Sequence, residues 1–420
     1  MIHSAPLVLP MSGPPVADGT VTVADGRIVR VGRGRGDVHW DGVLVAGLVN
    51  AHTHLQYTGM AEVGRRVYDS FEEWSHTFDR AYFGGGPGSW DPLTRKGVWD
   101  WAAGAREGIA QSLRYGTTAV ADIVTDLEAL VGSPLGGVTY LETLGDSDQT
   151  WREAGRAHFL RLLEGLDGRT GVSPHAPYTL DSGVIADVAA LARDRGRRLH
   201  VHLAESANER EYTLRGTGPL ADLARSYEFD FSILRDGGTG LAPVAYLDSL
   251  GVLGPDCHIA HGVDLGPEDR ALLRARGTAV ALCPRSNRTL GLPGPGVAAL
   301  LAEGNRIAVG TDSLSSSPSL DLLADVAALR ELALGQGYQG ADLDRRLVEA
   351  ATLGGAAALG LDGEIGCLRP GSRADFAVFD LEPDGREPYR RLVGQGPGRC
   401  VATVIGGEVV WVLGSAVVQC

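Results

Sequence analysis

Lysine is almost missing from this chain: Lys96 is the only one in 420 residues, and nearly all the positive charge is arginine. The net charge of −14 marks a second shortage, since a nucleic-acid partner requires a basic face. No nucleic-acid partner is expected, while a local basic pocket for an anionic substrate group stays compatible. The five cysteines, Cys257, Cys283, Cys367, Cys400 and Cys420, are scattered and never form a C-x-x-C pair. This excludes a disulfide framework and a structural zinc knuckle. No stretch approaches the ~20 uninterrupted apolar residues of a membrane span. Residues 1–30 lack a charged segment followed by an apolar one, so no secretory leader is read there. A cytoplasmic protein without a membrane partner is the expectation.

What is present divides into ends and a middle. Residues 21–31 read as a hairpin about Asp25-Gly26, and residues 401–411 as another about Gly406-Gly407. Strand-only pieces at both termini suggest one small β-domain built from residues 1–46 and 363–420. The middle, 47–362, alternates short β-rich runs (43–50, 117–123, 136–142, 170–175, 198–203, 256–261, 278–283, 306–312) with amphipathic stretches such as 151–166, 184–195, 267–276 and 319–334. Eight strand–helix alternations predict an α/β fold, a closed parallel (β/α)8 TIM barrel, over a doubly wound open sheet. Two connections are long, 55–95 with its Gly84–Gly88 run and 204–255. Both leave strand C-termini, where barrel active sites form.

Polar residues stand where the apolar runs stop. Val43–Val49 leads into Ala51-His52-Thr53-His54, and histidines spaced i, i+2 on a strand share one face. That pair alone reads as evenly ligand or surface. Three later strand ends repeat the pattern: Leu199-His200-Val201-His202-Leu203-Ala204-Glu205, Ile259-Ala260-His261-Gly262 and Val309-Gly310-Thr311-Asp312. A barrel converges such ends on one cavity.

These segments, with Ser173-Pro174-His175-Ala176-Pro177-Tyr178, resemble the amidohydrolase superfamily, and within it the deaminases of nucleoside-like substrates. The terminal segments, including residues 368–375, are similar to that family's β-sandwich. The resemblance implies one divalent metal ion, Zn²⁺ first with Fe²⁺ or Mn²⁺ as alternatives, on His52, His54, His202 and Asp312. Some members use a carboxylated lysine to bridge two metals. The fourth strand offers none, and Lys96 is read in a helical stretch before the second strand. The expectation is a single metal.

The resemblance also implies Glu205 as proton donor to a substrate ring nitrogen, Asp312 as the group that moves the water proton, and His261 as the residue orienting the water. His175 is implied to contact the substrate's sugar or its attached group. His200 is read as a supporting residue, Cys283 as a small buried one, and His258 as a strand residue facing away from the site. The string Ser70-Phe71-Glu72-Glu73-Trp74 is similar to the loop in deaminases of adenosine derivatives, and His52-Thr53-His54-Leu55-Gln56-Tyr57 to the pattern of aminodeoxyfutalosine deaminases of the alternative menaquinone pathway, so Gln56 and Trp74 join His175 as substrate-binding candidates. A carboxylate on such a substrate would want Arg65, Arg66, Arg80, Arg152, Arg285 or Arg288. The expected partner is a small nucleoside-like substrate, with a homo-oligomer as the family's habit. Deamination of S-adenosylhomocysteine, adenosine, guanine or cytosine is the alternative. Dechlorination or cyclic-amide hydrolysis stands further off.

Overall fold

The computed structural model describes residues 1–84, 99–166 and 168–414. Lys96, Gly85–Gly88 of the glycine run, and Cys420 lie outside the described residues, as does the helical stretch read around Lys96. Eight parallel strands follow one another around the middle of the chain: Leu48–Thr53, Thr117–Val124, Gly136–Thr143, Thr170–Pro174, Leu199–Leu203, Cys257–His261, Ala279–Leu282 and Ile307–Val309. The last meets the first through the amides of Thr311 and Asp312, which donate to the His52 carbonyl at 3.1 and 3.0 Å. Each strand is buried along nearly its whole length, which is why these segments read as unbroken apolar runs. The predicted (β/α)8 barrel is the observed architecture.

Helices pack between the strands and carry legible ends. Pro219, Pro243 and Pro267 each open a helix, where a missing N–H costs nothing. Gly277 closes Pro267–Arg276 in the left-handed region at φ 70°. The stretch read as one helix over 151–166 is a π-helical turn, Trp151–Gly155, running into Arg156–Glu164. The described parts of the two long connections are structured. The first holds the helix Phe71–Tyr82, and the second holds Ala207–Arg215, Pro219–Ser226, Ser232–Arg235 and Pro243–Ser249.

Both termini contribute to a second, mixed sheet. Its order is Glu408–Val412, Cys400–Ile405, Phe376–Phe379, Val43–Ala46, Ile2–Leu9, Val16–Ala24, Arg27–Arg33, with Val38–His39 also on Ile2–Leu9. The hairpin turns fall at Asp25-Gly26 (φ 51° and 71°) and Gly406-Gly407 (φ 60° and 80°), the positive-φ pairs that two-residue turns require. One expectation needs correcting here. The run 43–50 is not a single barrel strand. Val43–Ala46 pairs in the terminal sheet, and the barrel strand begins at Leu48. Gly47 makes the break. A Cβ there would meet Thr118 Oγ1 at 2.2 Å, so only glycine passes that close to the second barrel strand. Among the described residues no helix is long and apolar enough to cross a membrane.

Candidate active site

Asn50 sets the entrance of the first strand. Its Oδ1 accepts from the amides of His52 (3.3 Å) and Thr311 (3.2 Å), and its Nδ2 donates to Thr311 Oγ1 at 2.7 Å. The first and eighth strands are thereby stapled side by side. His52 Nε2 lies 3.5 Å and His54 Nε2 3.8 Å from Asp312 Oδ1. From the fifth strand, His202 Nε2 faces His54 Nε2 at 3.3 Å. The four residues read as ligands are brought together, and His261 stands beside them, its ring 5.3 Å from His52 and 5.5 Å from His202.

Backbone groups and neighbours orient these rings. His202 Nδ1 lies 3.1 Å from the His175 carbonyl and donates to it, which leaves the Nε2 lone pair facing His54. Asn287 Nδ2 donates to His261 Nδ1 at 3.2 Å, so neutral His261 carries its proton on Nε2, 3.4 Å from Glu205 Oε1. Asp312 is held on four sides. Ser286 and Ser316 hydroxyls donate to its Oδ2 at 2.7 Å each, the Ser313 amide donates to Oδ1 at 2.8 Å, and the histidines face Oδ1.

Burial and charge set the protonation states. Burial, then the neighbouring His52, lowers His54 to about 3. Burial likewise lowers His261 to about 3 and His175 to about 4, and His202 falls well below the usual range. These rings are neutral at physiological pH, the state that offers lone pairs. Burial works to raise Asp312, but the facing imidazole of His52, with those of His261 and His54 beside it, outweighs it and holds the carboxyl well below the ordinary carboxylate range. Burial, with Asp312 and Glu209 adding, pushes Glu205 the other way, well above that range. Two carboxyls in one cavity are thus driven apart, one ionised and one carrying a proton.

The donors fit a divalent cation. His52 Nδ1 and Nε2 and His54 Nδ1 are buried without hydrogen-bond partners among the described residues. His52, His54 and Asp312 offer donor atoms within 4.8 Å of one another, as do His52, His202 and His261. Three imidazoles and a carboxylate suit Zn²⁺. No lysine occurs among the described residues.

The substrate candidates separate. His175 is half-buried, its ring 4.6 Å from that of His202. Trp74 Nε1 donates to the Ser315 carbonyl at 2.9 Å, tying the helix Phe71–Tyr82 to the loop that follows Asp312. Gln56 is buried, and its Oε1 accepts from the amides of Thr125 (3.2 Å) and Asp126 (3.4 Å), so its carbonyl supports the loop after the second strand. His200 is fully buried, with its ring stacked on His52 at 4.8 Å. His258 corrects the expectation that it faces away. Its ring lies 4.8 Å from His200 and 5.3 Å from Tyr140, and its Nε2 is 3.0 Å from the Ala51 carbonyl, inside the barrel below the site. Strand alternation would set His258 and His261 on opposite faces, but His261 has left the strand conformation at φ 73°.

Three functional neighbours escaped the sequence reading. Glu142 ends the third strand, buried, 3.8 Å from His202 Nδ1 and pushed up by burial to about 8. The signal was available: it is a carboxyl closing an apolar run, like Asp312. Tyr178 donates to Glu205 Oε2 at 3.1 Å. Tyr57 stacks on His54 at 5.3 Å and begins an aromatic wall through Phe78, Trp74, Phe71 and Tyr178.

Gly310 explains the glycine before Thr311-Asp312. A Cβ there would lie 2.8 Å from both Cys283 Sγ and His52 Cβ. Gly310→Ala is expected to displace His52 and weaken metal binding by roughly 10- to 100-fold, at a stability cost of about 1–3 kcal/mol. Titration of the apoprotein with Zn²⁺ against a competing chelator reads the first effect and thermal melting the second.

Comparison with known proteins follows the same lines. A profile described as "Amidohydrolase family" matches residues 43–410. A 5-methylthioadenosine/S-adenosylhomocysteine deaminase of Moorella thermoacetica is 30% identical over 403 residues, covering 91% of this chain and 85% of that one. The aminodeoxyfutalosine deaminase of Deinococcus radiodurans is 34% identical over 271 residues, covering 61% of this chain and 63% of its own. The crystal structure of Helicobacter pylori aminofutalosine deaminase in complex with methylthio-coformycin superposes with a TM-score of 0.80 at 23% identity, covering 98% of this chain and 100% of that chain.

Proposed function

Because this chain belongs to the amidohydrolase family, we propose that it is a hydrolytic deaminase of adenine-bearing nucleosides. The observation that carries the reading is geometric: Asp312 faces His52 and His54 while Glu205 lies 3.4 Å from His261 in the same buried cavity, with burial pushing Glu205 up and the histidines holding Asp312 down. His52, His54, His202 and Asp312 would hold one divalent ion, most consistent with Zn²⁺. When bound, such an ion lowers the pKa of water toward ~7 and makes a nucleophile available at neutral pH.

The chain's own groups account for the proton traffic. Water adds to the ring carbon that carries the amine, and electron density moves onto the adjacent ring nitrogen. The Glu205 carboxyl gives that nitrogen its proton. Asp312 Oδ1 takes the proton released by the attacking water and returns it to the amine, which leaves as ammonia, and the proton of the added hydroxyl goes back to Glu205 as the ring carbonyl forms. His261 fixes the direction of attack, and Tyr178 holds Glu205 Oε2. His175, Gln56 and Trp74 remain the substrate-binding candidates. His175 lies nearest the ligand cluster, and Trp74 belongs to the aromatic wall.

The finer reading is 6-amino-6-deoxyfutalosine, whose ribose carries a substituent with an aryl ring. The wall from Tyr57 through Phe78, Trp74 and Phe71 to Tyr178 supports it, because aromatic faces suit an aryl group better than a zwitterionic tail. The rival is a 5′-thio-substituted adenosine, the kind of substrate named for the Moorella relative. Of the six candidate arginines, Arg285 is committed to Ser319, the Asp321 carbonyl and Asp325, and the other five are exposed.

The test is ammonia release over adenosine, methylthioadenosine, S-adenosylhomocysteine, aminodeoxyfutalosine, guanine and cytosine. The adenine nucleosides should turn over, aminodeoxyfutalosine with the highest kcat/KM, and the free bases should not. Silence on every adenine compound overturns the proposal. A higher kcat/KM for methylthioadenosine moves the finer assignment to the rival.

A further inference from the structure

Glu205 does not sit on regular strand. The residue before it, Ala204, has φ 53°, in the left-handed region that a side chain with a Cβ rarely adopts. Such a turn persists only where its surroundings enforce it. The enforcing group is another carboxyl. Glu209 is fully buried on the helix Ala207–Arg215, and its two oxygens divide between two consecutive amides: Ala204 N–H donates to Oε1 and Glu205 N–H to Oε2, each at 2.9 Å. Ser206 caps this helix by accepting from the Glu209 amide at 3.4 Å. A reciprocal capping box would send the Glu209 side chain back to the amide of Ser206. Here it reaches past the cap to the turn that aims Glu205.

The same turn is tied from the sixth strand. Asp264 N–H donates to the Ala204 carbonyl at 2.8 Å. The next residue of the helix, Arg210, holds Asp264 through Oδ2 (2.6 Å) and the backbone carbonyl (2.8 Å), and reaches Asp269 Oδ2 at 2.8 Å. Asp264 lies three residues beyond His261, which is also left-handed at φ 73°. Two adjacent side chains of one helix therefore brace the two strained strand ends that present Glu205 and His261.

We propose that Glu209 is a positioning residue for the deamination, fixing the left-handed Ala204–Glu205 turn so that the Glu205 carboxyl meets the substrate ring nitrogen. This rests on the reading of Glu205 as proton donor. Glu209 touches neither substrate nor metal. Its effect passes through two backbone amides, and it acts on the rate of proton delivery rather than on substrate affinity.

The test compares wild type, Glu209→Gln, and Glu209→Gln combined with Ala204→Gly, all metal-replete, on the best substrate of the panel. Glutamine keeps the size but sets an NH₂ against one of the two amides. Expected is a fall in kcat of roughly 30- to 100-fold with KM within about threefold, since misplacement of a reacting group by about 1 Å costs on that order. Glycine at 204 adopts the left-handed turn without the brace, so the double variant should regain about tenfold. A purely packing role for Glu209 predicts no such rescue. Wild-type kcat in Glu209→Gln overturns the proposal, as does a loss that glycine at 204 leaves unchanged. If Glu209→Gln does not accumulate as folded protein, Glu209→Asp, which keeps the carboxyl but is one methylene short, carries the same comparison. An inactive wild type would instead count against the deaminase reading, so the two failures are distinguishable.

Discussion

Asp312→Asn should lower kcat by roughly three orders of magnitude or more, the largest loss expected of any isosteric change in this chain. The residue is proposed to combine two duties that asparagine cannot perform. Its carboxylate faces His52 Nε2 at 3.5 Å and His54 Nε2 at 3.8 Å, where an anion is needed to complete the ligand set, and an amide has no charge to give. It is also the group proposed to take and return the water proton, and an amide does not titrate. The fold should survive. Ser286 and Ser316 hydroxyls can rotate to suit an amide, and the Ser313 amide retains an oxygen to donate to. Steady-state ammonia release, with metal content and melting temperature measured on the same preparation, separates the duties. A variant that keeps its metal and loses its rate has lost proton transfer. One that loses both has lost a ligand. Activity within tenfold of wild type would remove Asp312 from the chemistry.

Glu205→Gln should cost roughly 10²- to 10⁴-fold in kcat while leaving metal content unchanged. Glutamine can accept from His261 through its one oxygen and donate to the Tyr178 hydroxyl through its NH₂, so the pocket keeps its shape, but it has no proton to deliver. The sign of the pH dependence follows from the direction of the shift. Burial raises the Glu205 carboxyl well above its ordinary value, so the donor holds its proton at neutral pH and loses it as the pH rises. Wild-type kcat should therefore fall on an alkaline limb, and the residual rate of Glu205→Gln should lack that limb. The variant also discriminates chemistry: hydrolysis of a cyclic amide needs no ring-nitrogen proton, and near-wild-type turnover would point there.

The site was legible where strand geometry is simple. His52 and His54 share a face because they are two apart on one strand, and Asp312, His202 and His261 announce themselves as polar groups closing apolar runs. The barrel was legible for the same reason, since strands buried on both faces leave continuous apolar signatures. What escaped depends on contacts between distant segments. No periodicity distinguishes one strand over 43–50 from two, because the break at Gly47 is set by Thr118, far along the chain. The inward turn of His258 was missed because its partner in the parity argument, His261, has a positive φ that no local pattern signals. Gln56 reads as a pocket residue from its place after the histidines; that its carbonyl also accepts from the amides of Thr125 and Asp126, leaving only its Nε2 without a partner among the described residues, depends on a distant loop no local pattern signals. Glu209 draws no reading from the sequence, because its partners are the amides of a left-handed turn at Ala204 that no local pattern signals.

Metal dependence tests the central proposal most directly: three imidazoles and one carboxylate at separate strand ends hold a divalent ion that the deamination requires. Purified protein should carry about one divalent ion per chain. Ammonia release from an adenine nucleoside should vanish on exhaustive chelation and return when about one equivalent of Zn²⁺ is restored. Full activity in protein stripped of metal would contradict the account.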